Sequence, residues 1–169
     1  MKRYFERRRA EFDSLGQVFR APLVERADPI IYLGQPDEND IVEWAPREKE
    51  HLHVMSNIEH RLGVRFHNSI ADYFNSYWFL VLGGRSGPWC VQLRPVVPGV
   101  ELDEFLADAD EFANSHEGKL PRTPIGIETN TGFTVLVDNQ TGRVELDNTE
   151  KNVLEPLAEN LADLIETLR

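Results

Sequence analysis

The 169 residues carry 29 acidic against 18 basic side chains, a net charge of −11, and 41% of them are hydrophobic. Such a chain is long enough to bury a core, so one soluble domain over residues 1–169 is expected, and its acidic body repels phosphate, which argues against nucleic acid as a partner. One cysteine, Cys90, excludes an intrachain disulfide framework; the basic, apolar-poor start excludes a secretory signal and no apolar run has membrane-spanning length, so a cytoplasmic setting is expected.

Residues 1–15 read as a helix with Tyr4, Phe5, Phe12 and Leu15 on a rough apolar stripe and Gly16 as its stop. Arg7, Arg8 and Arg9 lie near its middle, either on a solvated face or as a basic arm that touches anionic lipid headgroups or nucleic acid. Residues 22–36 are extended and turn-rich, with a short strand at Pro29, Ile30, Ile31 and Tyr32. Ile41, Val42 and Trp44 begin another strand after a polar turn at 37–40. Residues 47–63 show helical spacing at Leu52, Met55, Ile58 and Leu62, with Gly63 as the break. Asn68 or Ser69 caps a second short helix, with Ile70, Tyr73 and Phe74 inward and Asp72 and Asn75 outward.

Residues 77–82 and 89–93 read as strands around a turn at 83–88. Pro95, Pro98 and Gly99 break the chain before an acidic amphipathic helix at 101–115, whose apolar positions are Leu102, Phe105, Leu106, Ala109 and Phe112. A linker marked by Gly118, Pro121 and Pro124 leads to a strand at 125–128. The organising stretch follows: Phe133, Val135 and Val137 alternate with Thr134, Leu136 and Asp138, a turn occupies 139–142, and Val144 and Leu146 alternate on the return. This hairpin has one face to bury. Val153, Leu154, Leu157, Leu161, Leu164, Ile165 and Leu168 recur at helical spacing and are expected to cover it as one closing helix. The fold class is α+β, a central, largely antiparallel sheet flanked by helices.

The motifs of common chemistries are weak. Gly83-Gly84-Arg85-Ser86-Gly87 lacks the lysine of a phosphate loop, and a strand follows it, so it reads as a hairpin turn. His51, His53, His60 and His67 cluster in sequence, yet helical geometry spreads the first two and Gly63 separates the last, so solvated or core-edge histidines are favoured over a metal site. Cys90 has no lysine, histidine or helix start beside it and reads as a packed thiol. Asn139-Gln140-Thr141 matches a glycosylation sequon but reads as a turn. Carboxylate pairs are plentiful: Asp103 with Glu104, Asp108 with Glu111, and Glu43 beside Trp44. Acid–base work would need one of a pair in an apolar pocket, whereas most of these read as a solvated face. No cofactor is implied.

Several stretches resemble the Syd family of SecY-interacting proteins, part of the SUKH superfamily. They are Ile58-Glu59 to Leu62 with Ile70, Tyr73-Phe74 and Tyr77-Trp78; the strand–turn–strand from Val137 to Val144; the entry from Pro121 to Ile127; and Leu154, Leu157, Ala158, Leu161 and Leu164. The likeness runs from about Pro29 to the end in matching order. Arg94-Pro95 stands where the family pattern carries a tryptophan. The resemblance implies a single Syd-like domain and a non-enzymatic adaptor, peripheral on the cytoplasmic face of the inner membrane. It would bind cytosolic loops of the SecY channel and act in quality control of translocation complexes. Such loops are rich in Lys and Arg, which an acidic concave face attracts. On that face we expect Glu43, Glu59, Asp72, Asp103, Glu104 and Asp108, with Trp44, Tyr73 and Tyr77 as aromatic anchors. Core packing is the competing reading for the aromatics. The runner-up function is a SUKH-type immunity protein that neutralises a basic toxin; a hydrolase built on an acidic pair stands third.

Overall fold

The computed structural model describes residues 1–100 and 102–169. In chain order the elements are α1 (Lys2–Ser14), β1 (Arg20–Pro22), β2 (Ile41–Glu43), β3 (Arg47–Glu48), α2 (Met55–Leu62), α3 (Asn68–Ser76), β4 (Tyr77–Trp78), β5 (Leu82–Ser86) and β6 (Trp89–Leu93). They continue with α4 (Asp103–Ser115), β7 (Arg122–Glu128), β8 (Thr134–Asp138), β9 (Val144–Asn148), β10 (Val153–Ala158) and α5 (Leu161–Thr167). The expectation that α4 starts at Glu101 falls outside the described residues.

Strands β5 to β10 form one antiparallel sheet in which each strand pairs with the next in sequence. The β8–β9 hairpin sits where alternation places it, with Thr134 opposite Asp147 and Val137 opposite Val144. Asp138 holds the turn, its carboxylate accepting from the N–H groups of Gln140 (2.9 Å) and Thr141 (2.8 Å). Val135, Val137, Val144 and Leu146 are fully buried and join Val91, Leu93 and Ile125 from β6 and β7. Against them lie Tyr4 and Phe5 of α1, Ile70 and Phe74 of α3, Phe105 and Ala109 of α4, and Leu164 and Ile165 of α5, in one continuous core. β1–β2 and β3–β4 make two small ribbons apart from the main sheet.

Several expected elements are corrected. The closing segment is not one helix. Its first half is strand β10 beside β9, and only Leu161–Thr167 is helical. Pro156 explains the division: it has no N–H for a helix interior, yet an edge strand tolerates it. Asn160 then starts α5, its side chain accepting from the Asp163 N–H at 2.9 Å. Residues 29–31 form a 3₁₀ turn rather than a strand, since the Asp28 carboxylate accepts from the Ile30 N–H at 3.0 Å.

The helix expected over 47–63 is confined to α2. Before it, the Lys49 backbone N–H donates to the Ser76 carbonyl, and the Asn75 amide bonds both the N–H (2.7 Å) and the C=O (3.2 Å) of His53, which holds this stretch open. Asn75 is therefore engaged rather than simply outward. Gly63 ends α2 with a left-handed φ of 62°, as its position suggested. The cap of α3 is His67, not Asn68 or Ser69.

The strand expected over 77–82 is divided between β4, in a side ribbon, and β5, which takes in Gly83 to Ser86. The reason is a close approach: a Cβ on Gly84 would lie 2.6 Å from the Arg169 carbonyl oxygen. Arg169 pairs with Arg85 through N–H···O contacts of 2.7 and 3.1 Å and so covers the β5 edge. The basic run of α1 also turns inward in part. Arg7 donates to the carbonyls of Glu166 (3.2 Å) and Leu168 (2.5 Å), capping the end of α5, and Arg3 pairs with Glu166 at 3.0 Å.

Between β7 and β8 the buried Glu128 carboxylate organises the loop. It accepts from Cys90 N–H (3.0 Å), Asn130 N–H (3.0 Å), the Asn130 amide (2.8 Å), Thr131 N–H (2.7 Å) and the Thr131 hydroxyl (2.8 Å). Burial alone would disfavour the charged form, but these donors outweigh it and hold the carboxyl down to about 2 from its ordinary 4.5. A depressed folded pKa contributes stability that is fully present above pH 4.5 and is lost as pH falls toward about 2. The unfolding free-energy difference between the natural chain and Glu128→Gln is thus constant near neutrality and shrinks through that acid window. Urea titrations at a series of pH values check this, and a difference that ignores pH contradicts it.

Candidate functional site

Helix α4 is the most acidic element. Phe105 and Ala109, one turn apart, are fully buried, so Asp103, Glu104, Asp108, Asp110 and Glu111 lie toward the surface. Asp103 and Glu104 occupy the first turn, where the helix dipole favours negative charge. Glu104 and Asp108 are four residues apart and therefore share one side. Arg94, just past β6, meets them both: its guanidinium lies 3.6 Å from Glu104 and is ion-paired with Asp108.

Arg94 is the pivot of this region. Its side chain is only 15% exposed. Its carbonyl accepts from the Tyr73 hydroxyl at 2.5 Å, and its N–H donates to the Ile125 carbonyl at 2.8 Å. Burial pulls the Arg94 pKa down, and Glu104 and Tyr73 oppose that. Tyr73 is fully enclosed, so burial raises its hydroxyl pKa well above the ordinary value and keeps it a donor. Two more guanidinium groups reach α4: Arg26 pairs with Asp103 at 2.7 Å, and Arg61 of α2 pairs with Asp110 at 3.0 Å. Among the described residues Glu111 carries no ion pair.

Beside the helix runs a groove of about 310 Å³, with Asp108, Glu111 and Phe112 on one wall and Pro124, Ile127 and Thr134 on the other. Ile127 is 47% exposed. Strand register extends this surface across the sheet, since Gln92 faces Ile127, Ile127 faces Thr134, Thr134 faces Asp147, and Asp147 faces Leu154. An apolar floor with carboxylates at its rim suits the aliphatic stem and charged tip of Lys or Arg.

The structure brings together three of the expected site residues, Asp103, Glu104 and Asp108, and separates the rest. Glu43 and Trp44 line a cavity beside α1, and Asp72 and Tyr73 line another between α3 and α5. Glu59 accepts from the Phe66 N–H at 2.8 Å and ties α2 to the start of α3. Trp44 and Tyr73, expected as aromatic anchors with core packing as the competing reading, are buried in the core at 1% and 3% exposure. Tyr77 is half-buried with its ring 5.6 Å from Phe5. Of the expected acids, Asp103, Glu104 and Asp108 share one helix, α4, while Glu43 lies on β2, Glu59 on α2 and Asp72 on α3.

Sequence reasoning missed Arg94, Arg26 and Arg61 as neutralising partners, and Phe112 and Ile127 as groove walls. The available signal was an arginine closing an apolar strand opposite an i, i+4 carboxylate pair. Among the described residues no three His, Cys, Asp or Glu side chains converge as metal ligands. Nor is any described helix long and apolar enough to cross a membrane.

A mixed α+β domain with an acidic helix laid beside an exposed sheet face thus defines the class of scaffold. The family model described as Syd protein (SUKH-2) matches residues 1–83. A Protein Syd of Psychromonas ingrahamii is 31% identical, with 78% of this chain and 72% of the relative aligned. Those of Hahella chejuensis and Photobacterium profundum are 24% and 23% identical, covering 88% and 85% of this chain and 73% and 81% of their own length. The chain belongs to the Syd family.

The half-buried guanidinium also sets a stability expectation. The double substitution Glu104→Gln with Asp108→Asn leaves Arg94 without its carboxylates. It should cost about 2 kcal/mol, less than the roughly 3–5 kcal/mol of a fully buried pair because both acids reach water. Adding Arg94→Met to the double variant should recover most of that loss. Denaturant melts of the double and triple variants check both statements.

Proposed function

We propose that this chain is a non-catalytic adaptor that docks on the Lys- and Arg-rich cytosolic loops of the SecY channel. The α4 ridge and the adjoining groove form the contact. The observation that carries the reading is membership in the Syd family, joined to a groove whose walls are an unpaired carboxylate, Glu111, and an exposed apolar side chain, Ile127. Cytosolic loops of membrane proteins are enriched in basic residues. An acidic ridge speeds encounter with such loops and makes the contact sensitive to salt.

The partly neutralised state of α4 shapes this proposal. Of its five described carboxylates four are held by Arg26, Arg61 and Arg94, so long-range attraction is modest and Glu111 with the apolar floor supplies the local contact. Docking places the protein at the cytoplasmic side of the inner membrane without insertion. There it acts in quality control of assembled channels, the role that the Syd resemblance implies.

Co-sedimentation with inverted inner-membrane vesicles tests the proposal. The chain should pellet with vesicles enriched in the channel, less so as salt rises, and not with vesicles lacking it. Glu111→Lys and Ile127→Asp, both on the surface, should each lower binding by at least about tenfold. Equal binding to vesicles with and without the channel rejects the reading.

A further inference from the structure

Helices α3 and α5 flank a cavity of about 470 Å³ that shares no lining residue with the α4 groove. Its floor is apolar. Tyr73 of α3 and Leu161 and Ile165 of α5 close it at 3%, 2% and 4% exposure, and Ala162 and Met1 continue it toward the surface. The size falls within the roughly 300–1,000 Å³ of small-molecule sites, which pair an apolar lining with a few polar groups.

The polar groups of the rim divide into two sets. His67 accepts from the Ser69 N–H at 3.3 Å, the Ser76 hydroxyl donates to the Tyr73 carbonyl at 2.9 Å, and the Asn160 amide bonds Asp163 through its oxygen and its nitrogen. These are satisfied locally. Asn68 and Asp72 are exposed, and neither side chain has a hydrogen bond or ion pair among the described residues. Four residues apart on α3, they share one edge of the cavity.

Charge selects the occupant. Among the described residues that line the cavity, Asp72 is the one Asp, Glu, Lys or Arg. An imidazole that accepts at Nδ1, as His67 does, carries no charge. The starts of α3 and α5 both reach the cavity, but His67 and Asn160 already cap them, so neither calls for an anion. Burial draws the Met1 amine toward its neutral form, which Glu166 opposes. An unpaired carboxylate above an apolar floor suits a cation carried on an apolar body, and the Asn68 amide oxygen adds a second acceptor.

We propose that this cavity binds a small primary amine with an aryl or branched alkyl body. The ammonium donates to the Asp72 carboxylate and the Asn68 amide oxygen, and the apolar body lies against Leu161, Ala162 and Ile165.

Calorimetric titration of the full chain with 2-phenylethylamine tests this. The amine should saturate in a one-to-one complex, and the neutral 2-phenylethanol and the anionic 3-phenylpropanoate should each bind at least about tenfold more weakly. Asp72→Asn, at an exposed position that leaves the fold intact, should bring the amine down to the level of 2-phenylethanol. Ala162→Phe should fill the cavity and remove binding, while Glu111→Lys, in the α4 groove, should leave it unchanged. Absence of saturable binding overturns the proposal. So does equal binding of 3-phenylpropanoate, or an amine that binds Asp72→Asn as tightly as the natural chain. Loss of binding in Glu111→Lys overturns it by assigning the amine to the acidic surface at large. Tighter binding of Nα-acetyl-lysine methylamide than of 2-phenylethylamine overturns it as well, and assigns the rim to a lysine of a partner protein.

Discussion

A guanidinium stays charged in a protein, and when it is drawn under the surface it must be met by carboxylates. Arg94 imposes that condition here. Its backbone is fixed at the end of β6 by Ile125 and Tyr73, so its side chain can be satisfied only by acids arriving from the next element. Glu104 and Asp108 arrive on one side of α4. The position of the helix along the sheet follows from this meeting as much as from Phe105 and Ala109 on its buried side.

Topology then makes the groove. β6 and β7 are antiparallel neighbours, yet the chain between them is long enough to contain all of α4. A connection of that length must lie against the pair it joins, and α4 packs beside β7. The outer side chains of β7 and β8, Ile127 and Thr134, are left next to the acidic helix rather than under it. The same meander leaves β5 and β10 as edges. Arg169 covers one, and Pro156 marks the other as a strand that lacks one ladder donor.

Much of this was legible because local rules agreed with tertiary ones. The hairpin from Thr134 to Asn148 follows from alternation and turn chemistry, and α1 and α4 follow from spacing and their breaks. The closing segment misled because Leu154, Leu157 and Leu161 fit a helical period, while the physics of Pro156 favours an edge strand. Gly83 and Gly84 looked like turn residues, but glycine also serves where backbones approach closely, and that meaning needs the partner in view. At the candidate site the acids were visible and their partners were not. Asp103, Asp110 and the Glu104–Asp108 pair meet arginines from three other parts of the chain, contacts that carry no local signature. Trp44 and Tyr73 show the converse, since aromatics that suit an interface suit a core equally well.

The proposed docking uses one side of the molecule, the outer sheet face next to α4. Photocrosslinking from single positions on that face and away from it tests this most directly. A photoreactive side chain replacing Ile127 should give an adduct with SecY in native membranes, and one replacing Glu38, in the polar loop before β2, should give none. Adducts from position 38 without any from position 127 would contradict the account.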